Sequence, residues 1–168
     1  SAEFKLQAFS RDSIIQYILF NIDSVFKNFT DFEEKIYNGI ERYNYLFNEI
    51  NEIKIGTFYS NFNATVIDAD DRIWIGLDMY LGPENEITKN LPPSIPQFYK
   101  NKMDAKFMAT DVLFGYLMTN KFHLIGEDMI SRMLSYGKMA YLLEILAPNE
   151  NMANRFRYNE SELNWCEE

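Results

Sequence analysis

The sequence predicts an α+β domain with two N-terminal helices, a small, mainly antiparallel sheet and a helical C-terminal half. Three observations carry this. Apolar residues recur at helical spacing up to Ile50. Between Ile53 and Leu77 they alternate or run continuously over short segments. After Pro92, Pro93 and Pro96 the helical spacing returns.

The first helix is read from Ile15, Ile18, Leu19, Ile22, Phe26 and Phe29, with Ser10 as its N-cap and Asp12 in its first turn. The second starts at Thr30, where Thr30 and Glu33 fit a capping box. Phe32, Ile36, Ile40, Tyr43, Phe47 and Ile50 form its apolar stripe, with Glu33, Glu34, Lys35, Glu41 and Arg42 facing water.

The period then changes. Ile53, Ile55, Thr57 and Tyr59 alternate with Lys54, Gly56 and Phe58, which predicts a strand. Ala64 to Ile67 and Arg72 to Leu77 predict two more, joined as a hairpin through Asp68, Ala69, Asp70 and Asp71. Ile73, Ile75 and Leu77 point one way, and Trp74 and Gly76 the other. Both faces are apolar, so this strand lies inside a sheet.

Pro83 and the segment Leu91 to Pro96 predict an irregular connection, because proline fits neither a helix interior nor a central strand. Helical segments follow around Gln97 to Phe107 and from Asp111 to Asn120, the latter capped by Thr110. The strongest runs from Glu127 to Leu146, with Ile130, Met133, Leu134, Gly137, Tyr141, Leu142 and Ile145 as its apolar face and Pro148 ending it. Gly137 on that face predicts close packing against another backbone. Asn159 and Glu162 start one more helix, with Leu163 and Trp165 as its first buried residues. A helix that begins so near Glu168 suggests a piece of a longer protein.

The composition bounds what such a chain does. With 168 residues and no repeat, low-complexity tract or linker, residues 1–168 are read as a single domain. Hydrophobic residues at 47% and aromatic ones at 16% argue against disorder. The net charge of −9 opposes nucleic-acid binding, which needs cations to replace phosphate counterions. No apolar run approaches the roughly 20 residues of a membrane-spanning helix.

The candidates for chemistry are few. Asp68, Asp70 and Asp71 resemble the start of a calcium loop. An EF-hand needs glycine at its sixth position and glutamate at its twelfth, where this chain has Ile73 and Met79, so the turn reads as a solvated hairpin tip. His123 is the only histidine, too few for a two-histidine zinc site. There is no Gly-x-Ser-x-Gly elbow or phosphate loop, and Cys166, the single cysteine, reads as an inert thiol. No catalytic residue, metal or cofactor is assigned. Asp78 stands out because it ends an apolar strand and Gly76 and Gly82 flank it. It either accepts backbone hydrogen bonds or lines a cleft, and the structural role is preferred.

Several motifs together resemble one family. They are Ile75-Gly76-Leu77-Asp78-Met79-Tyr80-Leu81-Gly82, Asn90-Leu91-Pro92, Asp111-Val112, Met133-Leu134-Ser135-Tyr136-Gly137-Lys138 and Asn164-Trp165-Cys166-Glu167. In order and spacing they are similar to the GldB-type gliding-motility lipoproteins of the Bacteroidetes group. That resemblance implies a non-catalytic lipoprotein of the cell envelope, facing the periplasm and tethered through an N-terminal lipidated cysteine outside this sequence. It implies a part in gliding motility and in type IX protein secretion, with envelope proteins of that machinery as partners. It also implies a chain that continues past Glu168.

The family further looks similar to zincin-type peptidases, in which a helix after the sheet carries His-Glu-x-x-His. Here that helix runs through Asp111-Val112-Leu113-Phe114-Gly115, and Glu144 falls near the place of a further acidic ligand. The resemblance thus implies a degenerate zincin-like scaffold without its metal, with Asp78, Tyr80, Asp111 and Glu144 as the candidate cleft residues. The alternative is an envelope hydrolase, or a peptide- or glycan-binding module, with a peptidase-like cleft.

Overall fold

The computed structural model describes residues 9–69, 72–121 and 128–167. In chain order these form α1 (Ser13–Val25), α2 (Thr30–Phe47), β1 (Lys54–Phe58), β2 (Val66–Ala69), β3 (Arg72–Gly76), a 3-10 turn (Leu77–Tyr80), α3 (Glu86–Lys89), α4 (Gln97–Lys100), a second 3-10 turn (Ala105–Phe107), α5 (Met108–Asn120), α6 (Met129–Leu146), α7 (Met152–Phe156) and α8 (Glu160–Glu167). The class is α+β, with a helical C-terminal half as the sequence predicts.

The helices begin where their side chains can cap them. Asp12, not Ser10, caps α1, its Oδ1 accepting the N–H groups of Ile14 and Ile15 at 2.8 and 3.3 Å. Helix α2 starts at Thr30 as expected, but the predicted capping box does not form. Instead the Asn28 side chain accepts the Thr30 N–H at 3.1 Å. The box predicted for the last helix does form. Asn159 N–H donates to Glu162 Oε2 at 2.9 Å and Glu162 N–H to Asn159 Oδ1 at 2.8 Å. Thr110 is not a cap; it lies inside α5 and its hydroxyl donates to the Phe107 carbonyl at 2.9 Å.

The sheet has the order β1-β3-β2, so the strand read as interior is the central one. β2 and β3 form the expected antiparallel hairpin, from Val66↔Ile75 to Ala69↔Arg72. β1 pairs with β3 in parallel, from Lys54↔Arg72 to Phe58↔Gly76, which makes the sheet mixed rather than mainly antiparallel. The reason is topological. The chain leaves β1, passes over the end of β3 to the far edge, descends as β2 and returns in the middle.

Helix α5 is the centre of the core. Met108, Ala109, Val112, Leu113, Tyr116 and Leu117 are buried on it, together with Ile73 and Ile75 of β3, Ile36, Ile40 and Tyr43 of α2, and Ile18 and Ile22 of α1. Two glycines let backbones approach α5. A Cβ on Gly39 would stand 2.5 Å from Leu113 Cδ2, and one on Gly115 would meet Val66 Cγ1 at 3.3 Å. On the other face of β3, Trp74 is only half-buried, lying over Gly56 with the Arg72 guanidinium 5.2 Å from its ring.

Helix α6 departs from the sequence reading. Its buried line is Ser135, Met139, Leu143 and Leu146. Ile130, Met133, Leu134 and Tyr141 are each more than half exposed, and nothing lies within 4 Å of a Cβ on Gly137. Apolar residues surround most of this helix, so periodicity alone did not single out a face. Ser135 can be buried because its hydroxyl donates to the Ser131 carbonyl at 2.9 Å. Trp165 is likewise exposed rather than buried.

Candidate functional site

Helices α5, α6 and α7 enclose an open cleft of about 640 Å3. Phe114, Tyr136, Phe156 and Tyr158 give it aromatic walls, and Gly137 and Ala140 keep the α6 side low. Phe114 and Tyr136 stack nearly parallel, with centroids 6.3 Å apart and planes at 11°. Phe156 and Tyr158 form a second pair at 6.1 Å and 28°. Asp111, Arg155 and Arg157 supply the charge.

Local structure sets the arginines. Asn151 caps the short α7 through the Asn154 N–H at 2.7 Å. Arg157 ends it in the left-handed region at φ 57°, where its N–H reaches back to the Ala153 and Asn154 carbonyls. The Arg157 guanidinium donates to the Lys102 carbonyl at 2.6 Å and lies 3.4 Å from Asp111 Oδ2. Arg155 meets only a distant carboxylate among the described residues, Glu144 Oε1 at 3.7 Å. The Nε atoms of both arginines are buried without a hydrogen-bond partner among the described residues.

Asp111 is approached from behind by Tyr80, whose hydroxyl donates to Oδ2 at 2.9 Å. Burial pushes the Asp111 carboxyl above its ordinary value, against the opposing pull of Arg157 and the Tyr80 hydroxyl. Burial first, then the Asp111 charge, hold the Tyr80 hydroxyl far above its ordinary range, so it remains a donor.

The four residues named from the sequence thus separate. Asp111 lines the cleft and Glu144 stands beside Arg155 with a largely exposed side chain. Asp78 and Tyr80 do not line it; both are fully buried. Asp78 accepts Ser60 N–H and Ser60 Oγ–H at 2.9 Å each and Phe62 N–H at 2.6 Å, the structural alternative of its sequence reading. The two arginines were missed. Their signal is the alternation Arg155-Phe156-Arg157-Tyr158, a basic and aromatic run in an acidic chain. His123, Asp70 and Asp71 lie outside the described residues.

The cleft does not fit a metal cation. On α5, Asp111 and Gly115 stand one turn apart, and the one carboxylate is engaged by a tyrosine and a guanidinium. Among the described residues, no three His, Cys, Asp or Glu side chains group closely enough to hold an ion. No helix among them is long and apolar enough to cross a membrane.

Fold and site define an α+β domain with an aromatic, arginine-bearing cleft over its central helix. The model of the family described as gliding motility protein GldB matches residues 1–168, and the chain belongs to that family. The family is one of lipoproteins with a part in gliding motility, which makes an envelope protein held at a membrane the class to which this chain is assigned. No curated protein and no solved structure matches the chain.

Proposed function

We propose that this chain is a non-catalytic, periplasm-facing component of the cell envelope that supports gliding motility and the associated type IX secretion by contacting other envelope proteins. An N-terminal lipid holds it at the membrane. The observation that carries the reading is the outward row on α6, where Met129, Ile130, Met133 and Leu134 are each at least 60% exposed. Monomeric proteins seldom leave so many large apolar side chains together in water, and such patches mark contact surfaces. The engaged state of Asp111 supports the non-catalytic part: a carboxylate tied to Tyr80 and Arg157 is poorly placed to take a substrate proton.

The test is a Met133→Glu, Leu134→Glu double variant in a gliding strain that lacks its own copy. Both side chains face water, so the fold should persist with an unchanged urea midpoint. Gliding and secretion should fail. Normal motility at normal abundance would remove α6 as the contact surface.

The binding-module alternative is favoured by a separate observation, the size and charge of the cleft. A hydrolase is not, because the Thr110 hydroxyl in the cleft donates to the Phe107 carbonyl and the neighbouring Asp111 is tied to Tyr80 and Arg157.

A further inference from the structure

We propose that the cleft between α5, α6 and α7 binds the C-terminal carboxylate of a peptide chain ending in an aromatic or aliphatic residue, with Arg155 as the anchor. This rests on the protein-contact reading and names the kind of partner segment the cleft would take.

Arg155 carries the argument. Its side chain is 11% exposed, and its Nε is buried with no hydrogen-bond partner among the described residues. The nearest carboxylate, Glu144 Oε1 at 3.7 Å, lies beyond hydrogen-bond distance and belongs to a side chain 61% exposed. A guanidinium so enclosed presents a planar fork suited to a carboxylate, and here the fork is incompletely used. Glu144 occupies the position of a loosely held internal competitor that can rotate into water when a better acceptor arrives.

Charge decides which anion. Two arginines and the Asp111 carboxyl line the cleft, and the Glu144 carboxylate stands outside the lining beside Arg155. Exchanging Glu144 for one external carboxylate restores the same balance. A dianionic phosphate would add charge within a protein that already carries −9. The walls decide what the carboxylate is attached to. The stacked pairs Phe114–Tyr136 and Phe156–Tyr158 offer flat apolar faces for a ring or branched side chain. A volume of about 640 Å3 admits a terminal residue and its neighbour. Gly137, with open space where its Cβ would stand, leaves the α6 side free.

The probe is a fluorescein-labelled peptide of sequence Gly-Ser-Gly-Ser-Phe, once with a free carboxyl terminus and once as the terminal amide. Fluorescence anisotropy on the wild-type protein should show the acid binding about tenfold more tightly than the amide, the discrimination expected of charge-assisted hydrogen bonds. Arg155→Gln should erase that difference, and Arg155→Lys, which keeps the charge without the fork, should reduce it. Glu144→Gln, which removes the competitor, should tighten the acid and leave the amide unchanged. Gly137→Leu should weaken both peptides by filling the cleft. Equal binding of acid and amide to wild type, or no binding of either, overturns the proposal. Dodecanoate binding in place of the peptide also overturns it and assigns the cleft to a lipid acid. If the acid preference is absent while the α6 double variant still blocks gliding, only this inference falls. If the double variant glides normally, the contact reading falls with it.

Discussion

Asp78 holds Ser60 with both carboxylate oxygens: Oδ1 accepts the Ser60 backbone N–H and Oδ2 the Ser60 hydroxyl, each at 2.9 Å. The pair joins the residue just beyond the central strand to the loop that crosses over it. That crossing is what the β1-β3-β2 order demands, since the chain must pass from one edge of the sheet to the other. Within the loop, Asn61 and Phe62 adopt left-handed φ values of 56° and 58°. Such a conformation costs about 1–2 kcal/mol per non-glycine residue, and the three hydrogen bonds to Asp78 hold it in place.

Asp78→Ala should therefore destabilise the protein by about 1–3 kcal/mol, because two loop N–H groups and a hydroxyl lose their acceptor. Urea unfolding measures it. Function in cells should fall only as abundance falls. A normally abundant Asp78→Ala protein that cannot support motility would point instead to a working role for this carboxylate.

Gly76 and Gly137 should respond in opposite ways. A Cβ on Gly76 would stand 2.1 Å from the Ala64 carbonyl oxygen of the same crossing loop, so that backbone must move. Gly76→Ala should cost about 1–3 kcal/mol by overpacking. A Cβ on Gly137 meets nothing within 4 Å, and α6 is helical on both sides of it. Gly137→Ala should stabilise by up to about 1 kcal/mol through helix propensity. Thermal melts of the two variants shifting in the same direction would contradict this placement.

Side chains on β3 supply a graded comparison. Ile75 is fully buried and Trp74 half-buried on the opposite face. Ile75→Ala should cost about 2–5 kcal/mol by opening a cavity. Trp74→Ala should cost less, about 1–2 kcal/mol, from lost packing on Gly56 and the lost Arg72 contact. A larger loss at Trp74 than at Ile75 in urea titrations would mean that the Trp74 face is covered.

What the sequence made legible follows local chemistry. The capping pair Asn159 and Glu162, the hairpin before Arg72 and the central position of β3 are written in residues close together in the chain. The parallel pairing of β1 was not legible, because strand direction is set by where the crossing loop lands. The buried face of α6 was missed for a different reason. Met133 and Leu134 look like core residues in the sequence, whereas Ser135 does not, yet Ser135 packs inside and the other two face water. The cleft was half legible. Asp111 and Glu144 were named through a family resemblance, but Arg155 and Arg157 gain their meaning only when α7 folds back against α5. The Asn154 carbonyl then lies 3.4 Å from the Thr110 hydroxyl.

The last prediction concerns pH. Burial raises the Asp111 carboxyl above its ordinary value, so the folded protein favours the protonated form more than the unfolded chain does. The sign follows: the contribution of this group to stability is fully present below the ordinary aspartate value of about 3.9 and is lost as pH rises through the higher folded value. Asp111→Asn keeps a neutral side chain of the same size at every pH. Its urea midpoint should therefore improve relative to wild type as pH is raised from about 4 to about 7. The opposite trend, with the variant falling behind as pH rises, would show that the Arg157 ion pair at 3.4 Å outweighs burial. Arg157→Gln separates the contributions. Removing the guanidinium takes away the pull that opposes burial, so the wild-type loss of stability with rising pH should steepen.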